Sequence, residues 1–237
     1  MGRIFEKRKH KMFARFAKMA KAFTKIGKDI AIAVKLGGPN PDGNPRLRMA
    51  IQNAKAVNMP KANVDAAIKR ATEKDSANFE EVIYEGYAPH GVPLLVECTT
   101  DNPTRTVANV RMHFNRGGGA LGTNGSVSFM FDRKALFKVP SAGLNHEETE
   151  FELIDHGGEE FTWDDETGEL IIQTPFTEFG NMQKALEDKK LEIKESSKVF
   201  MPTTTQHLSD EHEAEVQTLI DRLEEDDDVV AVYHNAG

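Results

Sequence analysis

Residues 6–36, EKRKHKMFARFAKMAKAFTKIGKDIAIAVKL, set the character of the amino-terminal third of the chain. Apolar or small residues at Phe13, Phe16, Ala20, Phe23, Gly27, Ile30 and Val34 alternate three and four apart, which predicts a long helix with one packed seam. In that register Lys7, Lys21, Lys28 and Lys35 take position b, Arg8 and Arg15 position c, and Lys11, Lys18 and Lys25 position f. All three positions lie opposite the seam, so these cations are expected to face solvent. A solvated helix surface ordinarily mixes signs to gain i,i+4 pairs. Here Asp29 is the one acidic residue on the outer face. A one-signed ladder suits a polyanion better than bulk water.

Gly37-Gly38 ends this helix, and Pro39, Pro41 and Pro45 keep the chain from resuming it. A second helix is expected over 46–57, burying Leu47, Ile51 and Ala54, and a third over 60–72, burying Val64, Ala67 and Ile68. Three amphipathic helices with short connections make a small bundle. The last two, joined through Asn58-Met59, have the layout of a helix-turn-helix, a weak signal because the turn lacks a glycine.

Charge divides the chain at the end of this bundle. Residues 1–75 hold 18 Lys/Arg against 6 Asp/Glu, a net of +12, whereas residues 76–237 hold 12 against 32, a net of −20. The overall charge of −8 conceals a basic module carried on an acidic body. Other classes drop out quickly. The lone Cys98 cannot form an internal disulfide, and the apolar runs Ile30–Val34 and Pro93–Val96 are far too short to span a bilayer. An apolar fraction of 39% over 237 residues is that of a folded chain with room for two or three domains.

Beyond residue 76 strands and helices mix without βα repetition, which points to an α+β fold. Strands are expected at 81–87 and 91–99, with Leu94, Val96 and Cys98 on one face. Asp101-Asn102-Pro103 starts a helix reaching about residue 115, and Gly117-Gly118-Gly119 stops it. Strands follow at 126–131 and 135–139. A helix at 146–156, a hairpin at 160–163 and 169–174, a helix at 179–189 and a strand at 192–201 come next. The chain closes with an acidic helix at 209–225 and a strand at 229–234.

The candidate chemistry is sparse. Gly117–Gly122 formally satisfies G-x-G-x-x-G, but it follows a helix and precedes a strand, the reverse of the dinucleotide-binding order. It reads as a flexible turn, with Arg116 beside it as a lesser candidate for a phosphate. No histidine pair has metal-ligand spacing, and the run Glu224–Asp228 reads as a solvated helix tip. Cys98, mid-strand on the apolar face, reads as a small buried thiol. Asp101, Arg105 and Thr106 at a helix start have the makings of a small anion site, against the simpler reading of a capping Asp beside an Arg. Val127, Phe129 and Phe131 alternate faintly like an RNA-recognition strand, yet without its basic residue and second aromatic, so core packing is expected.

Several phrases carry a family likeness: Phe23-Thr24-Lys25 leading to Gly37-Gly38, Asn44-Pro45-Arg46-Leu47-Arg48, and Ala54-Lys55-Ala56-Val57-Asn58-Met59-Pro60-Lys61. Tyr84-Glu85-Gly86-Tyr87, Val96-Glu97-Cys98-Thr99-Thr100-Asp101-Asn102, Arg105-Thr106-Val107, Arg111, Gly117–Gly122 and Gly125-Ser126-Val127 continue them in order. With these the chain resembles the YebC/PmpR family, which includes mitochondrial translational activators of cytochrome oxidase. The resemblance implies a helical domain over 1–75, a middle α+β domain over 76–139 completed by 203–237, and an acidic α+β domain over 140–202 inserted in it. It also implies a cytoplasmic bacterial or a mitochondrial protein, described as a DNA-binding transcriptional regulator and linked to ribosomes and translation through proline-rich stretches. It brings no cofactor and no catalytic residue. Many members open with a His-Ser-Lys-Trp phrase, which this chain replaces by Gly2-Arg3-Ile4-Phe5, so any role of that phrase is not carried over. Lys predominates over Arg and no Ser precedes Ser76, unlike an organellar leader, so a bacterial cytoplasmic protein is expected.

The combined expectation is a non-enzymatic regulator whose basic helices grip nucleic-acid phosphates through Lys7, Arg8, Lys11, Arg15, Lys18, Lys25 and Lys28, with Arg46, Arg48, Lys61 and Lys69 as further contacts. DNA is the first expected target. Ribosomal RNA is the alternative, with the acidic domains meeting basic ribosomal proteins. Two remoter readings are an enzyme acting on a phosphorylated ligand at Asp101–Arg105 and a membrane-surface helix using Phe13, Phe16 and Phe23. The bundle seam explains those phenylalanines better, and no membrane partner is expected.

Overall fold

The computed structural model describes residues 3–73 and 78–237, with the backbone alone over residues 3–18. Among the described residues the chain forms seven α-helices and two four-stranded antiparallel sheets, an α+β fold with the helical bundle first.

The bundle comprises α1 (Arg3–Gly37), α2 (Pro45–Ala56) and α3 (Lys61–Thr72). One buried side chain organises the first corner. Asn44 caps α2 by accepting from the Leu47 N–H at 3.1 Å, while its Nδ2 donates to the Ala33 carbonyl at 2.7 Å and the Gly38 carbonyl at 2.9 Å. A single amide thus satisfies orphan groups at the end of one helix and the start of the next. A Cβ on Gly37 would sit 2.7 Å from that amide, so the close approach requires glycine. The bundle core joins Ile26, Ile30, Ala33 and Val34 of α1 to Leu47, Ala50, Ala54, Val64 and Ala67. Between α2 and α3, Asn58 takes φ 57°, supplying the left-handed residue for which the sequence offers no glycine.

The first sheet has strand order β3-β1-β2-β8, from β1 (Glu80–Tyr87), β2 (Pro93–Thr100), β3 (Ala120–Leu121) and β8 (Val229–His234). Every residue of β2 is buried, because both of its faces are covered. Leu94, Val96 and Cys98 pack with Val110 and Phe114 of α4 (Pro103–Arg116) and with Val216, Leu219 and Leu223 of α7 (Asp210–Glu224). On the other face Leu95 meets Val127, Phe131, Phe200 and Tyr233. The cap of α4 is Asn102, which accepts from the Arg105 N–H at 3.0 Å, so Asp101 is left for another partner.

The glycine-rich turn after α4 is a packing device. Gly119 presses on β1 so closely that a Cβ would lie 2.5 Å from the Tyr87 carbonyl oxygen, and one on Gly86 would lie 2.6 Å from the Ala120 oxygen. Backbone against backbone leaves no side chain to yield. Here β3 pairs with β1 through Gly86–Leu121 and Tyr87–Ala120.

The second sheet has order β5-β6-β4-β7, from β4 (Phe131–Pro140), β5 (Glu160–Asp164), β6 (Glu169–Pro175) and β7 (Glu195–Pro202), with α5 (His146–Ile154) and α6 (Phe179–Asp188) contributing to its core. Two sequence expectations need correction. Residues up to 139 were assigned to the middle domain, yet β4 pairs with β6 and β7 along its length and so belongs to the second sheet. A strand was expected over 126–131, but Ser128–Met130 form a 3-10 turn and Phe129 is 75% exposed. The reason is Glu85. Its buried carboxylate accepts the N–H groups of Gly125 at 2.7 Å and of Val127 and Ser128 at 2.8 Å, which bends the loop around it. Burial alone would push this carboxyl up, but the three backbone N–H bonds outweigh it and hold Glu85 below the usual range.

A methyl group at Gly119 tests the backbone contact. Gly119→Ala should cost about 1–3 kcal/mol of stability, read as a lower urea midpoint with an unchanged m-value.

Candidate nucleic-acid interface

Three cations in the inner half of α1 turn toward the body of the chain, while Lys35 in the last turn is exposed. Lys21, Lys25 and Lys28 fall four and three residues apart and so share one face, and that face lies on the turn between α7 and β8. Lys21 Nζ donates to the Glu225 carbonyl at 3.1 Å and Lys25 Nζ to the Val230 carbonyl at 2.9 Å. Lys28 is buried, and its three ammonium hydrogens have three partners: Asp228 Oδ1 at 2.9 Å, the Thr99 carbonyl at 2.9 Å and the Asp227 carbonyl at 2.8 Å. Burial draws Lys25 below the ordinary lysine value, with Lys21 and Lys28 acting the same way and Glu224 opposing. The heptad reading placed Lys25 and Lys28 in solvent, and this is corrected. It assumed one packed face, whereas α1 packs against α2 and α3 on one side and against the first sheet on another.

Asp228 is the focus of that second contact. Besides Lys28 it accepts from Arg105 Nη2 at 2.7 Å and from the Thr106 hydroxyl at 2.9 Å, and the Thr100 hydroxyl lies 2.7 Å from Thr106 Oγ1. Burial opposes ionisation here, but the bonds from Arg105, Lys28 and Thr106 prevail, so the carboxyl lies below its usual range. The anion site anticipated at Asp101, Arg105 and Thr106 is therefore filled by the chain itself. Asp101 binds the same Arg105 nitrogen at 3.0 Å. The run Glu224–Asp228 is correspondingly no simple solvated tip. Asp226 accepts from the Asp228 N–H at 2.9 Å and stands 3.4 Å from His113.

A second charged junction lies where bundle and sheets meet. Arg46 of α2 pairs with Glu81 of β1 at 2.8 Å, Lys198 of β7 pairs with both Glu81 and Glu97, and the Tyr233 hydroxyl donates to Glu97 at 3.2 Å. Asp29 faces this group from α1. Burial is the main force raising its carboxyl, with Glu81 and Glu97 adding to it and Arg46 and Lys198 opposing, and it is pushed from 3.8 up to about 7. Arg48 is half-buried and has partners in the connection before α2, its Nη1 donating to the Pro41 and Asp42 carbonyls at 2.9 Å.

The eleven anticipated cations thus part company. Lys7, Arg8, Lys11, Arg15 and Lys18 have side chains outside the described residues. Lys25 and Lys28 tie the bundle to the body, and Arg46 and Arg48 have partners within the chain. Lys61 and Lys69 are exposed together on α3. Arg70 and Lys55, which the sequence reading did not select, are exposed on α3 and α2. Helical periodicity could have flagged Arg70 beside Lys69, but nothing local distinguishes Lys55 from a buried-face lysine such as Lys28.

Among the described residues no group of three or more His, Cys, Asp or Glu has the arrangement of a metal site. Cys98 is buried, and burial above all, then Asp226 and Asp228, pushes its thiol up to about 12. A thiol so rarely ionised is a poor nucleophile.

Comparison with known proteins places these features in context. The family model described as the TACO1/YebC protein N-terminal domain matches residues 3–74, and the one described as the TACO1/YebC second and third domain matches residues 79–236. A "Probable transcriptional regulatory protein" of Flavobacterium psychrophilum is 53% identical over 234 residues, covering 99% of this chain and 98% of that one. One of Myxococcus xanthus is 54% identical over 238 residues, covering 99% of both. The crystal structure of a conserved hypothetical protein from Aquifex aeolicus matches with a TM-score of 0.80 at 40% identity, covering 93% of this chain and 91% of that one.

Two substitutions test the junctions. Asp228→Ala leaves Lys28 and Arg105 without their shared anion and should cost about 3–5 kcal/mol in denaturant titration. Asp29 acts in the opposite sense to an ordinary ion-paired carboxylate. Its raised value means that the folded state holds a proton the unfolded state releases, so its contribution to stability falls as pH rises from about 4 to about 7. Asp29→Asn should flatten that slope and raise the melting temperature above pH 7 relative to the parent.

Proposed function

Because this chain belongs to the TACO1/YebC family, we propose that it is a regulatory protein without catalytic activity that binds nucleic acid through its amino-terminal helices. The observation that carries the reading is charge segregation: +12 over residues 1–75 against −20 over the rest. Electrostatic attraction to phosphates is the dominant sequence-independent term in nucleic-acid binding, and a basic face supplies it. The contacts proposed are Lys7, Arg8, Lys11, Arg15 and Lys18 in the outer part of α1, with Lys61 and Lys69 on α3. Lys25 and Lys28 are set aside because their ammonium groups already have partners in the chain.

The names of the relatives favour DNA and a role in transcription, in the cytoplasm of a bacterium. The short turn between α2 and α3 is compatible with a helix-turn-helix whose second helix enters the major groove. A second reading, RNA of the ribosome, is favoured by the acidity of the second-sheet part: residues 140–202 carry 16 Asp/Glu against five Lys. That surface suits basic ribosomal proteins and repels nucleic-acid backbone. Beyond about 8–10 Å the repulsion is screened at physiological salt, so it does not prevent the bundle from binding.

If about six phosphates are neutralised, affinity should fall by roughly three orders of magnitude between about 50 and 200 mM salt. Lys61→Ala with Lys69→Ala should weaken binding and reduce the slope of log K against log salt by about 1.8. Fluorescence anisotropy with duplex DNA and with ribosomal RNA fragments, across a salt series, reads both effects and ranks the two targets. A salt-independent affinity, or no binding to either, would sink the proposal.

A further inference from the structure

A cavity of about 690 Å³ opens between α1, α3 and the approach to β1. That is the size of sites that enclose small organic groups. Its lining includes the rings of Phe23 and Phe79 and the thioether of Met59, with Asn63, Arg70 and Glu73 as exposed polar residues. The Lys28 ammonium, fixed by its three partners, lies 5.7 Å from the centre of the Phe79 ring and helps hold that ring in place.

Gly27 also lines the cavity, and it is the informative residue. Glycine in a helix interior is a destabilising choice relative to alanine. A Cβ built on Gly27 would meet nothing within 4 Å among the described residues. Contacts among those residues therefore do not call for glycine, unlike at Gly37 or Gly119. Gly27 lies in the cavity wall, where a larger side chain would project into the cavity.

We propose that this cavity receives one unpaired base of a bound nucleic-acid strand, with Arg70 on the adjoining phosphate. The inference rests on the nucleic-acid reading above. Two aromatic rings and a thioether suit the faces of a planar heterocycle, and the Asn63 amide offers a donor and an acceptor to its edge. Arg70 braces its Nε on the Ala66 carbonyl at 3.3 Å, and its guanidinium is free-standing enough at the surface to meet an anion. Lys61, Lys69 and Arg70 are exposed on α3, the helix that borders the cavity, and favour a polyanion there over a neutral ligand. A base inside a duplex has both faces stacked on neighbours, so only a looped, bulged or flipped base can enter.

The test uses the full-length protein and a hairpin oligonucleotide, made once in DNA and once in RNA, with an abasic site moved in turn through the loop. Stacking one base should be lost at one loop position as a weakening of roughly 5- to 150-fold. In Gly27→Leu, which fills the cavity, the intact and abasic hairpins should bind equally, at the weaker level. Gly27→Ala controls for folding, since it should raise the melting temperature by roughly 2–4 °C. Arg70→Ala should weaken the intact hairpin while leaving the fold intact. The DNA and RNA arms show which strand supplies the base. If every abasic hairpin binds like the intact one, the base pocket is wrong and phosphate binding stands. If an abasic site weakens the parent and Gly27→Leu alike, the base is read elsewhere and the pocket is again wrong. If no hairpin binds at any salt, both proposals fall together.

Discussion

The carboxylate of Asp228 is the constraint on which the arrangement of the chain depends. It is buried, and an ionised carboxylate in such a place is tolerated only when charge and hydrogen bonds compensate it. Lys28 reaches it from α1, Arg105 and Thr106 from α4, and it stands itself at the entrance to β8. Three segments far apart in sequence must therefore converge on one point. Once they do, α1 is laid across the first sheet, the last strand is pinned beside β2, and the bundle has a defined seat on the body.

The Arg46, Glu81, Lys198, Glu97 and Tyr233 network does the same on another side, joining α2 to both sheets. Asn53 adds a reciprocal pair with Ser196, donating to its carbonyl at 2.9 Å and accepting its N–H at 3.3 Å. The seams between the parts are thus rich in directional polar bonds, while each part has an apolar core of its own. This divides the labour of the cations. Some of the positive charge of the bundle holds the acidic body, and the remainder is what a polyanion can meet. Net charge alone overstates the second share.

Much of the candidate interface was legible in the sequence as composition but not as placement. The excess of Lys and Arg over residues 1–75 is plain, and so is the exposure of Lys61 and Lys69 on a short amphipathic helix. Lys28 is the instructive failure. Its heptad position assigns it to solvent, and no local feature announces that an aspartate two hundred residues later will claim it. The run Glu224–Asp228 misleads for the same reason: consecutive acids read as solvated until one of them is seen between a lysine and an arginine. Phe129 failed through Glu85, whose three backbone acceptor contacts turn an apparent strand into a loop that presents the ring to solvent.

By itself the sequence determined the helices of the bundle, most strands and their helical partners, the α+β class, and the split of charge between the two ends of the chain. These follow from periodicity, caps and turn residues, which act over a few positions and carry their own signature. Only the tertiary structure decided that β4 joins the second sheet, that α1 has two packed faces, that the glycine turn serves backbone contact with β1, and that a glycine in α1 borders a cavity. Each of those depends on which distant groups come within bonding or contact distance. That is settled by the joint burial of charges and chain segments, and no local pattern encodes it.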